Sequence, residues 1–527
     1  MLVSKKAMTM PPCKVTALFE IMQYGVHRIL TLELMVYLRN NNSNTMQAFW
    51  IAAGQLVAVC LTIGSTMVLT RYMDKFNYGT YKQVFYVYTT LLSVFTLGLP
   101  KSYGYFLSRI SKEEGKDFVN KMTLIFVFSG MIFSLLLFLG SSIIADVLKN
   151  PELKTALKMF SPVPIFLMPT LGLEAIYATY RETYIAAIYS VVTRVLLFIC
   201  VTLPVLFWGI GYKNAVLGFV ISSFLSFLLA LYLKNRPFRN VNKQQTSISV
   251  TDILKFCMPL MGAGIFNILI NSTDQFFISR FFGTESFAEF SNGAMELPFI
   301  GMVVGACSTV LLPVYSKISK NGLLSKNDVN GIVAIWNNVL SKTVMLIYPL
   351  IIYCIIFSDE IMVVLYGSQY ELSGRYFFIM LFNNFFSIIS CYPLLLALNK
   401  TKEYGVVYFA NFILLALLEY SVVFIFGSVA SICVVSVFCL WLRVLVFMLI
   451  ISRALHVSVL KIIPCKTISI IVLLSTLIAW GVKLLLGSEQ TLLSIVVTFA
   501  LFIILVFVCS SFFKMNYLSI VKPLLRK

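Results

Sequence analysis

The chain alternates between long apolar blocks and short polar stretches. Each block is about 20 residues long, the length of helix that crosses the roughly 30 Å hydrocarbon layer of a bilayer. The strands of an outer-membrane barrel would instead alternate residue by residue. The pattern predicts an all-α polytopic membrane protein with fourteen transmembrane helices, at 46–70, 82–107, 119–144, 157–180, 184–208, 214–233, 255–280, 288–315, 333–357, 373–398, 404–426, 428–452, 467–486 and 490–513.

The composition supports this fold class. Of the 527 residues, 59% are hydrophobic and only 12% are charged. Soluble proteins are about 45–50% apolar and about 25% charged. This excess of apolar surface excludes a water-soluble enzyme, a disordered chain and a fibrous protein.

The N-terminal segment, residues 1–45, differs from the blocks that follow it. Residues 15–38 are partly apolar but carry Glu20, His27, Arg28 and Glu33. Each charge costs about 2.5–3.5 kcal/mol at the centre of a bilayer. We therefore expect an amphipathic helix on the membrane surface, although the segment could also span. No apolar run precedes Pro11, so we expect no cleavable signal peptide.

The net charge of +19 is explained by membrane topology rather than by nucleic-acid binding. If both termini are cytoplasmic, the cytoplasmic segments hold more than twice as many Lys and Arg residues as the external loops. This asymmetry follows the positive-inside rule. The most basic connection is the linker 234–254, which separates the first six spans from the next six.

Two short matches indicate an internal repeat. Residues 108–112 (SRISK) match 316–320 (SKISK), and residues 70–72 (TRY) match 279–281 (SRF) with the same spacing to within one residue. Six spans separate the copies, so both have the same orientation. Parallel repeats of this kind form transporter lobes with the substrate site between them. We expect two six-helix lobes related by a pseudo-twofold axis, an N-lobe at 46–233 and a C-lobe at 255–453, followed by two more helices and a cytoplasmic C-terminus in 454–527.

The stretches at 98–112, 274–291, 312–320, 365–370 and 396–404 carry a family resemblance. In these stretches and in its whole length, the chain resembles the polysaccharide (O-antigen type) flippases of the multidrug/oligosaccharidyl-lipid/polysaccharide exporter superfamily. The resemblance implies a central cavity that alternates between inward-open and outward-open forms. It also implies transfer of undecaprenyl-diphosphate-linked oligosaccharide across the bacterial cytoplasmic (inner) membrane for the assembly of O-antigen, lipopolysaccharide, capsule or exopolysaccharide. The extra N-terminal residues depart from the family pattern.

Charged residues inside spans are costly and commonly face a wet cavity or one another. A diphosphate head would need cations that give it charge-assisted hydrogen bonds. The candidate substrate-binding residues are Lys101, Arg194, Arg443, Lys342, Arg71 and Arg280. The candidates for coupling to an ion gradient, or for structural ion pairs, are Asp274, Glu174, Glu296 and Glu419.

No catalytic, metal or cofactor site is expected, since His27 and His456 are the only two histidines and no loop is long enough to form a domain. The expected partners are a lipid-linked oligosaccharide, membrane lipids and other polysaccharide-assembly proteins, with no nucleic acid. Two alternatives to a flippase stay open. One is a cation-coupled multidrug or small-solute exporter of the same superfamily, and the other is an integral membrane enzyme of polysaccharide biosynthesis.

Overall fold

The computed structural model describes residues 44–96, 98–209, 211–318, 325–486, 490–513 and 517. Within these ranges the chain is helical and contains no strand. The segment 15–38 lies outside the described residues, so the expected surface helix there remains a prediction.

The first six spans form the N-lobe. They are span 1 (Asn44–Tyr72), span 2 (Lys75–Thr96, then Pro100–Leu107), span 3 (Lys112–Val147), span 4 (Pro151–Phe160, Val163–Leu167 and Leu173–Thr179), span 5 (Thr183–Trp208) and span 6 (Tyr212–Asn235).

The C-lobe repeats this order. The helix Val250–Gly293 is divided at Gly283, whose φ of 87° is not helical. Its first part is span 7, and its second part begins span 8, which continues as Pro298–Ile318. The remaining spans are span 9 (Lys326–Ile356, followed by the short helix Ser358–Tyr366), span 10 (Glu371–Leu381, Asn383–Ser387 and Tyr392–Ala397), span 11 (Thr401–Ile425) and span 12 (Val429–Leu455).

Two further helices follow the C-lobe, span 13 (Cys465–Leu486) and span 14 (Leu492–Phe512). Thirteen helical segments of the described ranges are long and apolar enough to cross a membrane. Span 7 adds one more pass, because it runs from the linker between the lobes to the opposite end of the bundle. The fourteen-helix fold predicted from the hydrophobic pattern is confirmed, and the protein is a multi-pass membrane protein.

We call the end of the bundle that carries residues 236–249 the linker end, and the opposite end, with residues 72–75 and 280–284, the far end. The lobes share one feature at each end. At the linker end, spans 3 and 9 each begin after a serine, Ser111 or Ser325, whose side chain and a carboxylate three residues later cap the helix reciprocally. At the far end, spans 1 and 7 carry Arg71 and Arg280.

Four spans are interrupted inside the bundle: spans 2 and 4 in the N-lobe, and spans 8 and 10 in the C-lobe. An interruption leaves backbone polar groups that must find partners or line a cavity at membrane depth. In span 4 the interruption ends at Gly172, which has a φ of 82° and packs directly against the ring of Tyr103 in span 2. The carbonyl of Leu171 accepts a 2.6 Å hydrogen bond from Lys234, a fully buried lysine at the end of span 6.

Two arginines fasten the lobes together at the far end. Arg280 of the C-lobe donates to the carbonyls of Asp146 and Val147, each at 2.9 Å, at the C-terminus of span 3. Arg71 of the N-lobe donates to the carbonyl of Val364 at 3.0 Å, near the C-terminus of the helix that follows span 9. Each arginine thus binds the negative end of a helix in the other lobe. We call these two contacts the arginine clasps.

The far end is also held by close packing and by an ion pair. Lys75 lies 2.6 Å from Glu289 across the lobes. An added Cβ on Gly79 in span 2 would overlap the backbone of Thr284 in span 8, so only glycine permits this approach. Tyr78 donates a 2.7 Å hydrogen bond to Asn292 nearby. The lobes are therefore closed against each other at this end.

The linker end is joined differently. The linker is fixed to the N-lobe by the buried Asp117, which pairs with Lys121 and Lys243 at 3.0 Å each and accepts from the backbone N–H of Thr246. Between the lobes, the ring of Tyr105 stacks on that of Phe256 with centroids 4.2 Å apart. Ring stacking depends less on exact direction and distance than the hydrogen bonds of the arginine clasps do.

Glu289→Lys should lower the thermal unfolding midpoint of the purified protein, because it places two cations together at a partly buried site. The expected loss is about 1–2 kcal/mol, and Lys75→Glu in the same molecule should restore most of it. Glu403→Lys, in the half-exposed pair with Lys400, is the matched control and should have little effect. A double variant no more stable than Glu289→Lys would contradict the pairing.

Gly172→Ala should destabilise the N-lobe, because its φ of 82° disfavours a side chain and the new Cβ would collide with Tyr103. We expect a loss of about 1–3 kcal/mol, measured by thermal unfolding in detergent. Gly104→Ala is the control, since nothing lies within 4 Å of its added Cβ. Equal stability of the two variants would show that the interruption in span 4 is not fixed as described.

Candidate functional site

A polar cavity of about 360 Å³ lies inside the C-lobe. Spans 7, 8, 10, 11 and 12 surround it. Its polar lining residues are Asn271, Asp274, Gln275, Glu296, Asn383, Asn384, Ser387, Asn411, Ser436 and Arg443. We refer to it as the polar cavity.

The interruption of span 8 creates one wall of the polar cavity. The helix ends at Gly293, and the next one begins at Pro298, which has no backbone N–H to continue the first. The non-helical residues between them, including Glu296, line the cavity. This placement agrees with the rule that irregular backbone at membrane depth is tolerated where it borders a cavity.

The interruption of span 10 forms another wall and separates two environments. Asn383, Asn384 and Ser387 line the polar cavity. Phe382 and Phe385 line an apolar groove of about 890 Å³, which also borders span 13. The short helix Asn383–Ser387 therefore divides a polar space from an apolar one, and the indole N–H of Trp441 holds it in place by donating to the Phe382 carbonyl at 3.1 Å.

Arg443 is the buried cation of the polar cavity, with 8% of its surface exposed. Its guanidinium donates to the Asn411 side chain at 3.4 Å and lies 4.6 Å from the centre of the Tyr408 ring. Asn411 in turn donates to the carbonyl of Cys439 at 2.9 Å. Arg443 is thus fixed in one orientation by a hydrogen bond and a cation–π contact.

Two buried carboxyl groups lie at the side of the polar cavity. Asp274 in span 7 lines it, and Glu419 in span 11 is completely buried and close enough to Asp274 to interact with it. The side chains of Asp274 and Glu419 are close enough to hydrogen-bond each other when one of them carries a proton, and Ser436 also lies within hydrogen-bonding reach of Asp274. Two buried negative charges side by side would be costly. This pair is therefore suited to take up and release a proton or a cation.

The other candidate cations lie apart from the polar cavity. Lys101 is exposed on the same helix face as Tyr105, whose ring touches the C-lobe, so Lys101 faces the cleft between the lobes. Arg194 is exposed on span 5 near Tyr189, and Lys342 is half-buried in span 9. Arg71 and Arg280 form the arginine clasps. Of the six, only Arg443 lines the polar cavity.

The candidate acids also separate. Asp274, Glu296 and Glu419 come together at the polar cavity. Glu174 lies instead in the N-lobe, exposed at the start of the helix Leu173–Thr179. The sequence placed Asp274 and Glu419 in different spans without indicating that they would meet.

The structure gives two lysines, Lys82 and Lys234, positions inside the bundle that the sequence did not indicate. Lys82 in span 2 lies 5.3 Å from the centre of the Tyr78 ring, between two residues that contact the C-lobe, and no carboxylate of the described residues pairs with it. Lys234 holds the interruption of span 4. Both lie near the polar ends of apolar blocks, where a lysine usually reaches the membrane surface. No signal in the sequence distinguished them from such residues.

Comparisons with known proteins agree with this arrangement. A family model described as "Polysaccharide biosynthesis protein" matches residues 68–375, more than half of the chain. No curated protein matches the sequence significantly.

The fold is shared with solved transporters. A structure of the lipid II flippase MurJ in an inward closed conformation matches with a TM-score of 0.62 and 17% identity, covering 89% of this chain and 100% of that one. An inward-facing multidrug resistance MATE family transporter of the MOP superfamily matches at 0.59 and 10% identity, covering 76% and 94%. A mutant of the Vibrio cholerae MATE transporter VcmN matches at 0.55 and 13% identity, covering 78% and 96%. At these identities the likeness shows the fold alone.

Proposed function

We propose that this chain, which belongs to the family of polysaccharide biosynthesis proteins, is a flippase that moves a lipid-linked oligosaccharide across the bacterial inner membrane. Its cargo is an undecaprenyl-diphosphate-linked glycan for surface polysaccharides such as O-antigen or capsule. Both chain termini lie in the cytoplasm, so the far end is external. The observation that carries the proposal is a pair of equivalent lobes, sealed at one end by separable contacts, with a polar cavity at membrane depth.

Alternating access follows from the unequal ends of the bundle. At the far end, Arg71 and Arg280 donate hydrogen bonds to backbone carbonyls of the opposite lobe. Water can replace these donors when the lobes separate, so the contacts can break at little cost. At the linker end, Tyr105 and Phe256 can slide apart with little loss of directional bonding. The lobes therefore rock about their interface, exposing the space between them first to the cytoplasm and then to the outside.

The diphosphate head passes along the N-lobe wall of the cleft. Lys82 lies towards the far end and Lys101 towards the linker end of this wall, and neither is paired with a carboxylate among the described residues. Both can give charge-assisted hydrogen bonds to phosphate. Arg194 and Lys342 offer further positive charge, and opening of the arginine clasps frees Arg71 and Arg280 at the exit.

The lipid tail remains in apolar surroundings while the head crosses. The groove beside span 13 is lined by aromatic and aliphatic side chains such as Phe386 and Trp480. A polyprenyl chain can lie there without meeting the polar cavity, because the helix Asn383–Ser387 stands between them. Head and tail thus travel in separate environments.

Asp274 and Glu419 are the coupling groups of this proposal. This close pair of buried carboxyl groups binds a proton or cation, and release of that ion on the other side of the membrane biases the lobes towards one conformation. Glu296, which faces the same cavity, and Glu174 in the N-lobe are additional candidates.

The same carboxyl groups favour a second function, the export of cationic small molecules. A cavity with Asp274, Glu296 and Glu419 attracts cations more readily than anions. Cells that gain resistance to cationic dyes when they express this protein would support the exporter. An integral membrane enzyme has no comparable observation in its favour.

Lys82→Gln combined with Lys101→Gln should slow translocation of a fluorescent polyprenyl-diphosphate-linked oligosaccharide in proteoliposomes by roughly tenfold or more, since each charge-assisted contact contributes about 1.5–3 kcal/mol. The measurement is protection of the labelled head from an impermeant quencher. Lys154→Gln, an exposed lysine on the first helix of span 4, is the control. Full activity of the double variant would exclude these lysines from the path of the head.

Asp274→Asn and Glu419→Gln should make translocation independent of an imposed proton or sodium gradient, because neither amide can take up the ion. The rate is compared with and without each gradient. Glu403→Gln, in a surface ion pair, should respond as the wild type does. Gradient dependence that survives in both cavity variants would move the coupling site elsewhere.

A further inference from the structure

We propose that the polar cavity is a binding subsite for an uncharged sugar unit of the cargo, separate from the path of the diphosphate. This inference rests on the proposed function and deepens it. Three observations support it. Side-chain amides make up half of the polar lining, polar atoms in the lining are available to a ligand, and the lining carries more negative than positive charge.

Carboxamides dominate the polar lining. Asn271 and Gln275 lie one turn apart on span 7, Asn383 and Asn384 lie in the interruption of span 10, and Asn411 lies on span 11. A carboxamide donates through its nitrogen and accepts through its oxygen. A sugar hydroxyl also donates and accepts, so amides on three sides match the hydroxyls arrayed around a sugar ring.

Several of these groups are free to bind a ligand. Asn383 Oδ1 is a buried acceptor that has no hydrogen-bond partner in the described part of the chain. Asn271 is exposed, and Gln275 and Asn384 are half-buried in the cavity lining, so their side chains are accessible to a ligand. Buried polar groups are normally satisfied by the protein, by water or by a ligand. A sugar hydroxyl can supply the donor that Asn383 Oδ1 lacks.

The charges disfavour the diphosphate in this cavity. Glu296 and the pair of Asp274 and Glu419 supply two negative charges even when the pair shares one proton, whereas Arg443 is the single cation among the described residues that line the cavity. Asn411 and Tyr408 already engage that cation. A diphosphate would meet more negative than positive charge here, whereas a neutral sugar pays no such penalty.

The size and the apolar lining also fit a sugar. A volume of about 360 Å³ is at the lower end of the roughly 300–1,000 Å³ of small-molecule sites. The apolar lining includes Phe290, Ile300 and Leu440, against which the C–H faces of a ring can pack. The cavity accommodates one or two rings rather than a whole oligosaccharide, so it selects a particular unit of the chain.

The test is saturation-transfer NMR on the full chain in nanodiscs, with methyl glycosides of hexoses and N-acetylhexosamines as probes. We expect a signal with at least one glycoside, weakened roughly five- to tenfold in apparent affinity by Gln275→Leu or Asn384→Leu. Asn337→Leu is the matched control, because Asn337 is bound to the Lys461 carbonyl outside the cavity. Thermal unfolding of each variant identifies loss of fold, and Gln275→Leu, at a half-buried position, is the variant expected to keep it.

The outcomes separate this inference from the proposed function. Wild-type protein that translocates the lipid-linked oligosaccharide but gives no signal with any glycoside would overturn the sugar subsite and leave the flippase standing. A cationic dye that binds in place of the glycosides, with the same dependence on Gln275 and Asn384, would also overturn it. Glycoside binding that is lost in the two cavity variants and kept in Asn337→Leu supports the subsite, even if the liposome assay shows no translocation.

Discussion

Backbone polar groups inside a membrane must be satisfied, and this constraint explains where the protein is irregular. The interruption in span 4 is allowed because Lys234 reaches the Leu171 carbonyl and Tyr103 packs against Gly172. The backbone groups freed by the interruptions in spans 8 and 10 are tolerated for another reason, because these residues border the polar cavity. The interruption of span 4 in the N-lobe is thus stabilised by side-chain contacts, whereas the interruptions of spans 8 and 10 in the C-lobe line the polar cavity.

The two ends of the bundle differ in the chemistry that joins the lobes. At the far end each lobe gives an arginine that binds carbonyls near a helix C-terminus of the other lobe, at the end of span 3 in one direction and in the helix after span 9 in the other. At the linker end, the contact between Tyr105 and Phe256 is aromatic, and the linker itself is tied to the N-lobe by Asp117. A rigid tie on one lobe and separable contacts between lobes suit a rocking motion.

Charge is distributed between the lobes in a way that a net charge of +19 conceals. The cleft wall carries Lys82 and Lys101, whereas the polar cavity is lined by Asp274, Glu296 and the engaged Arg443, with Glu419 beside Asp274. An anionic head and an uncharged or cationic group are therefore favoured in different places. This separation fits the proposed cargo, which has an anionic head and uncharged sugar units.

The sequence by itself determined the fourteen helices, the two-lobed repeat and the family. The length of an apolar block and a repeated motif can be read directly from the order of residues, without knowing which residues are in contact. It also identified Asp274, Glu419 and Arg443 as unusual, since charge inside an apolar block is visible in one dimension. Only the tertiary structure decided that these three gather at one cavity, that Arg71 and Arg280 bind helix ends of the opposite lobe, and that Lys82 and Lys234 are not ordinary surface lysines. Their partners lie far away along the chain, and the direction of a side chain around its helix depends on how the helices pack.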